Sequence, residues 1–381
     1  MQTFTLRVPS TIVFGQDVLP QLGGIARGLG TRALIVSESV LHEGQHIHRV
    51  VEILKRSGVE TMIYDELMPG SPASSVDDIA SLARAGKAQV VIGLGGMRVL
   101  SLARCVANVA AEKFRMGDLM EGKRPASSIP YIEVPSSYRN HLLMRNEAVV
   151  TDGLAGRARM VQIVPGTVRA TVLETSFTQT LSNKYALAAI MDTLLAAVEG
   201  YYSPHSTMFS DTLLLRATRE LQSAAVAGIK NPGDGRFRLQ AAEAGLLTAM
   251  GLAVAGQGIG GGLAYAINAR FSLPKSWVAG ILLPHVVEFL TPRDVEKAAR
   301  IAAALDEPVE RITAADDAPR AARGVRKLLT HLDLPPRLRD LDVTLDDLST
   351  AAEDAAEFEL LSNVPGGVSP ADLQQLVAAA F

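Results

Sequence analysis

Residues 89–98, QVVIGLGGMR, decide the reading of the fold. A β-branched apolar run of strand length enters Gly95 and Gly96, and the residues that follow, through Ala103 and Arg104, carry the apolar spacing of a helix. Strand, glycine turn and helix N-terminus in that order form a seat for an anion. Backbone N–H groups and the helix dipole face the phosphate, and glycine lets the two backbones come close. A turn that needs glycine only for its own positive φ has the same spacing, so both readings stay open. Arg98 at the mouth is either a charged phosphate contact or a solvated residue of the first helical turn.

Similar runs lie on both sides of this stretch: 31–37 (TRALIVS), 60–64 (ETMIY) and 131–134 (YIEV). Between them come a Pro/Ser turn at 69–72 (PGSP) and an amphipathic pattern at 75–85, with Ser75 as N-cap and Asp77 and Asp78 in the first turn. Strands alternating with helices predict a parallel sheet covered on both faces. From Thr178 the character changes to long Ala/Leu-rich helical patterns, broken at Pro204, Gly233-Asp234-Gly235, Pro274, Pro284, Pro335-Pro336 and Pro365-Gly366-Gly367. The expected organisation is a Rossmann-like α/β nucleotide-binding domain over 1–175 followed by an all-α domain over 176–381.

The 381 residues suit two domains, and 48% hydrophobic with 20% charged residues excludes disorder over most of the chain. Lys and Arg number 37 against 40 Asp and Glu, so charge points to neither nucleic acid nor an anionic membrane as a partner. The single cysteine, Cys105, excludes an internal disulfide framework and a cysteine-based zinc site, and fits a reducing, cytoplasmic location. The opening residues lack the basic-then-apolar pattern of a signal peptide. Residues 244–269 carry no charge, but seven of them are glycine and Gln257 and Asn268 interrupt the run. They read as a buried helix pair and not as a membrane span.

Taken together, these segments resemble the iron-containing (group III) alcohol dehydrogenase family, related in fold to dehydroquinate synthase and glycerol dehydrogenase. The likeness begins at 12–16 (IVFGQ) and 33–39 (ALIVSES). It continues through 91–104, in the place of the family's GGGSxxDxAK turn, and 132–137 (IEVPSS), in the place of its PTT segment. Met191-Asp192 through Glu199-Gly200-Tyr201 resembles the metal-helix motif GMDAxxHAxEAY. Residues 281–286 (ILLPHV) and the tail 332–342 with Asn363-Val364-Pro365 match as well. The resemblance implies the dehydroquinate synthase-like architecture, an NAD(P)-linked oxidoreductase and a homodimer.

The family holds a divalent metal with one Asp and three His. By resemblance the Asp falls on Asp192, the first His on Ala196 and the last on Lys275, and no His lies between His205 and His285 to supply the middle one. One carboxylate without imidazole does not hold Fe²⁺ or Zn²⁺ tightly, so no metal is expected. Lys275 is the candidate to stand in, its ammonium paired with Asp192 either as a catalytic cation or as a purely structural pair. Arg139 and His141 replace part of the segment that in the family lies near nicotinamide and substrate. Arg139 could bind a substrate carboxylate and His141 shuttle a proton, or both could be solvated loop residues. Tyr265 reads as core or phenol donor, and His285 as a buried, hydrogen-bonded structural histidine. His42, His46 and His48 read as neighbours on a surface helix.

The cofactor set implied by the resemblance is Glu38, Gly95, Gly96, Met97, Arg98, Ser136 and Ser137. Met97 and Arg98 stand at the family's third glycine and serine. Glu38 matches the acidic residue against the adenine ribose and favours NAD over NADP; a helix N-terminal carboxylate is its alternative role. The resulting expectation is a metal-independent NAD(P)-dependent alcohol or carbonyl oxidoreductase acting on a small molecule or a peptide. Secondary-metabolite or peptide tailoring by oxidation with decarboxylation is one such role. The alternative is a non-catalytic protein of the same fold.

Overall fold

The computed structural model describes residues 10–67, 72–308 and 313–381. Of the turn anticipated at 69–72, all but Pro72 lies outside the described residues. The described chain falls into two compact units, one ending at Thr180 and the other beginning at Leu181.

The first unit is built on six parallel strands in the order β1-β8-β5-β4-β2-β3. They are β1 (Thr11–Gly15), β2 (Arg32–Val36), β3 (Glu60–Tyr64), β4 (Val90–Gly95), β5 (Tyr131–Pro135) and β8 (Val168–Glu174). Successive side chains of a strand point to opposite faces, and here both faces are dry. Leu34, Val36 and Val91 enter one hydrophobic core, while Ala33, Ile35, Val90, Ile92 and Leu94 enter another. That explains the uninterrupted apolar runs. The helix Met97–Val109 is buried along almost its whole length.

An antiparallel pair, β6 (Glu147–Asp152) with β7 (Arg157–Gln162), forms a separate small sheet. Its strands mix Arg, Glu, Gln and Asp with apolar residues, which hid them in the sequence. Two local expectations need correction. Helix Ser75–Ala85 has Ser74, not Ser75, at its N-cap, and no side-chain cap bond forms because Ser74 is itself in the helical region. Asp77 instead accepts the Met116 backbone N–H at 2.8 Å. His46 is not a surface residue: it is 3% exposed, its ring centroid is 4.2 Å from that of Phe177, and Nε2 lies 3.1 Å from Thr180 Oγ1. Burial, reinforced by Arg49, lowers its pKa. His42 pairs with Asp65 across the surface.

Among its described residues the second unit contains helices and no strand. Its central helix, Asn183–Tyr202, is buried from Ala186 to Tyr202, as a helix apolar on all sides must be. Ser182 caps it by accepting the Tyr185 N–H. Helices Met208–Lys230, Arg236–Ala255, Ile259–Phe271 and Lys275–Leu290 follow. Helices Arg236–Ala255 and Ile259–Phe271 meet at a bend of 106°. The uncharged stretch 244–269 noted above lies within this pair, and most of its residues are buried inside the unit. Among the described residues no single helix is long and apolar enough to cross a membrane.

Candidate active site

In the first unit the order of the sheet reverses between β2, which leads outward to β3, and β4, which leads the other way to β5. In open α/β sheets a ligand crevice lies outside the carboxyl ends of the strands at such a point. Glu38 follows β2 and Arg98 follows β4 there, and their side chains meet, Arg98 Nη2 lying 3.1 Å from Glu38 Oε2. Both remain partly exposed. Ser37 Oγ donates to the Leu94 carbonyl at 2.9 Å, and the Ser136 N–H to the Gly95 carbonyl at 3.0 Å, so the ends of β2, β4 and β5 are laced together.

Gly95 has φ +157°, and a Cβ there would sit 2.8 Å from Val99 Cβ. Gly96 behaves differently: a Cβ on it would meet nothing within 4 Å. The helix that begins at Met97 has no side-chain cap, so its N-terminus still offers its dipole to an anion. Met97 is 7% exposed, and beside it the Cβ direction of Gly96 stays open. The residues present therefore fit a pyrophosphate despite the lost third glycine. Sequence spacing left that question open.

Ser136, Ser137, Asn140 and His141 are all buried, His141 at 2% exposure, while Arg139 is half-buried. The reading of His141 as a solvated loop residue is corrected. What holds this segment is a pair that sequence reasoning missed. Arg104 donates from Nε to Glu133 Oε1 at 2.5 Å. Its Nη1 reaches the carbonyls of Leu142, Arg145 and Glu147 at 2.9, 3.1 and 2.8 Å, and its Nη2 that of Leu143 at 3.2 Å. Burial pushes the Glu133 carboxyl up, opposed by Arg104, and the Arg104 guanidinium is held above its usual range by Glu133 against its own burial. A glutamate inside the strand YIEV was the available signal, because a carboxylate buried in a sheet demands a cationic partner.

In the helical unit, Asp192 lies at the centre of helix Asn183–Tyr202, and Lys275 is the first residue of helix Lys275–Leu290. Nζ of Lys275 is 2.5 Å from Oδ1 of Asp192, with side-chain exposures of 4% and 0%. The ring of Tyr265 lies under the ammonium at 4.6 Å, a cation–π contact from a residue that is otherwise core. Ala196, one turn beyond Asp192, is fully buried. Glu199, a further turn on, accepts the N–H groups of Gly258, Gly260 and Gly261 at 3.2, 2.5 and 3.1 Å and so seats the N-terminus of helix Ile259–Phe271. Burial still pushes its carboxyl up to about 7, against those N–H donors and the charge of Lys275.

These residues do not fit a divalent metal. The one carboxylate at the centre is already bound to a fixed cation. Among the described residues no group of three or more His, Cys, Asp or Glu is placed to hold an ion. His285 also departs from expectation. It is only partly buried, and the Glu288 carboxylate is 3.9 Å from its Nδ1, beyond hydrogen-bonding distance. Burial and Arg326 lower its pKa, with Glu288 opposing them.

Two family profiles cover nearly the whole chain: "Iron-containing alcohol dehydrogenase" matches residues 9–168, and "Fe-containing alcohol dehydrogenase family, C-terminal" matches residues 186–381. Long-chain-alcohol dehydrogenase 1 of Geobacillus thermodenitrificans is 24% identical over 375 residues, 96% of this chain and 94% of that protein. Lactaldehyde reductase of Escherichia coli is 23% identical over 379 residues, 97% and 98% of the two chains. Among solved structures, a 1,3-propanediol oxidoreductase superposes with a TM-score of 0.93 at 21% identity, covering 100% of both chains. Sulfoacetaldehyde reductase from Bifidobacterium kashiwanohense in complex with NAD⁺ does so with a TM-score of 0.85 at 16% identity, covering 100% of this chain and 99% of that one.

Proposed function

The chain belongs to the iron-containing alcohol dehydrogenase family, and from that membership we propose that it is an NAD-dependent oxidoreductase. It interconverts an alcohol with its aldehyde or ketone, and it does so without a bound metal. The observation that carries the metal-independent part is the 2.5 Å contact between Lys275 Nζ and Asp192 Oδ1. A buried carboxylate satisfied by an ammonium has no charge left to draw a divalent ion out of water.

Gly96 and the uncapped helix at Met97 would hold the pyrophosphate, with Glu38 against the adenine ribose. A nicotinamide cofactor bound there supplies or accepts the hydride. The carboxylate of Glu38 favours NAD, because a 2′-phosphate would meet like charge. Arg139, half-buried on the segment braced by Arg104, suits a substrate that carries a carboxylate near its alcohol, free or on a peptide.

Titration with NADH and NADPH by fluorescence, together with metal analysis of the purified protein, tests this reading. Binding of NADH without stoichiometric metal, and oxidation or reduction unaffected by EDTA, is the expected result. A full equivalent of tightly held iron or zinc would overturn it. Absence of binding at millimolar cofactor would leave a non-catalytic protein of the same fold, a role for which the Arg98–Glu38 contact across the crevice speaks.

A further inference from the structure

We infer that the second unit carries a binding site for a free apolar α-amino acid. It is a cavity enclosed by the C-terminal half of helix Met208–Lys230, helix Arg320–Leu329 and the turn after helix Val295–Ala304. Neither the glycine turn nor the Lys275–Asp192 pair lines it, so the inference goes beyond the oxidoreductase reading.

The cavity has a volume of about 340 Å³, within the range of small-ligand sites (about 300–1,000 Å³). Gln222, Val226 and Ile229 line it from one helix, and their spacing of i, i+4 and i+7 puts them on one face. Gly324, Lys327 and Leu328 line it in the same way from the other helix, and Leu305 and Asp306 close a third side. A Cβ on Gly324 would lie 3.0 Å from Leu305 Cβ, so the glycine lets the turn press against its helix. Two walls are thereby fixed to each other, and the hollow remains against the third. Val226 and Ile229 on that third wall are only half-buried. They leave apolar surface to water, and an apolar side chain entering the cavity would displace that water with a gain in free energy.

The charged lining selects the other end of the ligand. Lys230 and Asp306 both line the cavity, and among the described residues neither side chain makes a hydrogen bond or an ion pair. Lys327, the second ammonium, has only Glu307 near it, at 3.7 Å and so beyond hydrogen-bonding distance. Nδ1 of His331 is already engaged by the Lys327 carbonyl at 2.9 Å. Cations and carboxylates thus balance, and a ligand of a single charge would be attracted by one sign and repelled by the other. A zwitterion satisfies both. Its carboxylate meets the Lys230 ammonium and its ammonium meets the Asp306 carboxylate, while its side chain enters among Val226, Ile229, Leu305 and Leu328. An α-amino acid with a side chain of the leucine or phenylalanine kind has that pattern.

Calorimetric titration of the full-length protein with L-leucine and L-phenylalanine tests the site, with hexanoate and hexylamine as ligands of a single charge. The variants are Lys230→Gln, Asp306→Asn and Ile229→Trp. The first two change exposed side chains, and asparagine tolerates the positive φ of 60° that Asp306 adopts, so both should fold as the wild type does, as circular dichroism checks. Ile229→Trp fills the cavity from its half-buried wall. At least one of the two amino acids should bind the wild type at millimolar concentration, at least about tenfold more tightly than hexanoate or hexylamine. Lys230→Gln and Asp306→Asn should each weaken it by about tenfold, and Ile229→Trp should abolish it. No binding of either amino acid at tens of millimolar would overturn the inference. So would hexanoate or hexylamine binding as tightly as the amino acids, or folded variants that all bind as the wild type does.

Discussion

Arg98 and Glu38, sixty residues apart in sequence, meet at 3.1 Å where the strand order of the sheet reverses. On the cofactor placement proposed above, the carboxylate against the adenine ribose and the guanidinium beside it occupy each other. Which of them governs coenzyme choice depends on that contact. Removing the carboxylate in Glu38→Ser should release the guanidinium and shift the NADPH-to-NADH preference by about tenfold or more toward NADPH. Fluorescence titration of both coenzymes checks this. An unchanged ratio would mean that neither side chain faces the ribose.

The Arg104–Glu133 pair should be among the costliest sites in the molecule. Both side chains are at or below 3% exposure, and the guanidinium also serves four backbone carbonyls. Arg104→Met strands a buried carboxylate and should destabilise the first unit by ~3–5 kcal/mol, read from denaturant midpoints. Glu133→Gln keeps the hydrogen-bonding shape and should cost less. Equal losses for the two variants would locate the importance in the charge alone.

Glu199 makes stability fall toward alkaline pH. Its folded pKa is raised from 4.5 to about 7, so the native state holds a proton that the unfolded chain has released. That stabilisation is fully present below about pH 4.5 and is lost as pH rises through about 7, amounting to about 3 kcal/mol over the window. Urea unfolding at pH 5 and pH 8 should show the decline in the wild type and a flatter profile in Glu199→Gln. A rise of stability across the same window in the wild type would contradict the assignment.

Lys275→Met alone should cost ~3–5 kcal/mol, because Asp192 at 0% exposure keeps a charge with no ammonium beside it. The double variant Asp192→Asn/Lys275→Met should recover most of that loss. Thermal unfolding of the two proteins side by side measures the difference, and a double variant no more stable than the single one would show that packing, not charge, dominates there.

Cys105 is fully buried in the helix that follows the glycine turn, and burial pushes its thiol up to about 12. With so little thiolate at neutral pH, it should resist aromatic disulfide reagents in the native protein and react only on unfolding. Rapid native labelling would mean that helix Met97–Val109 opens readily.

The parallel sheet was legible because 90–95 is apolar on both sides of the strand, and only a sheet covered on both faces asks for that. The pairing of Asp192 with Lys275 was legible through the family motif, which places two residues 83 apart at one centre. His46 was not, because its neighbours Phe177 and Thr180 come from the far end of the unit. Nor were the partners of Arg104: four of its five acceptors are backbone carbonyls, which carry no residue identity for a sequence to display. The fate of Met97 was likewise open, since spacing says where a side chain starts and only packing says which way it turns.

An ammonium joined to the backbone cannot be diluted away, chelated or exchanged for another ion. Its presence beside Asp192 is governed by the folding equilibrium of two helices and not by the supply of a dissolved element. The Lys275–Asp192 contact therefore forms as the chain folds and is lost when helices Asn183–Tyr202 and Lys275–Leu290 separate.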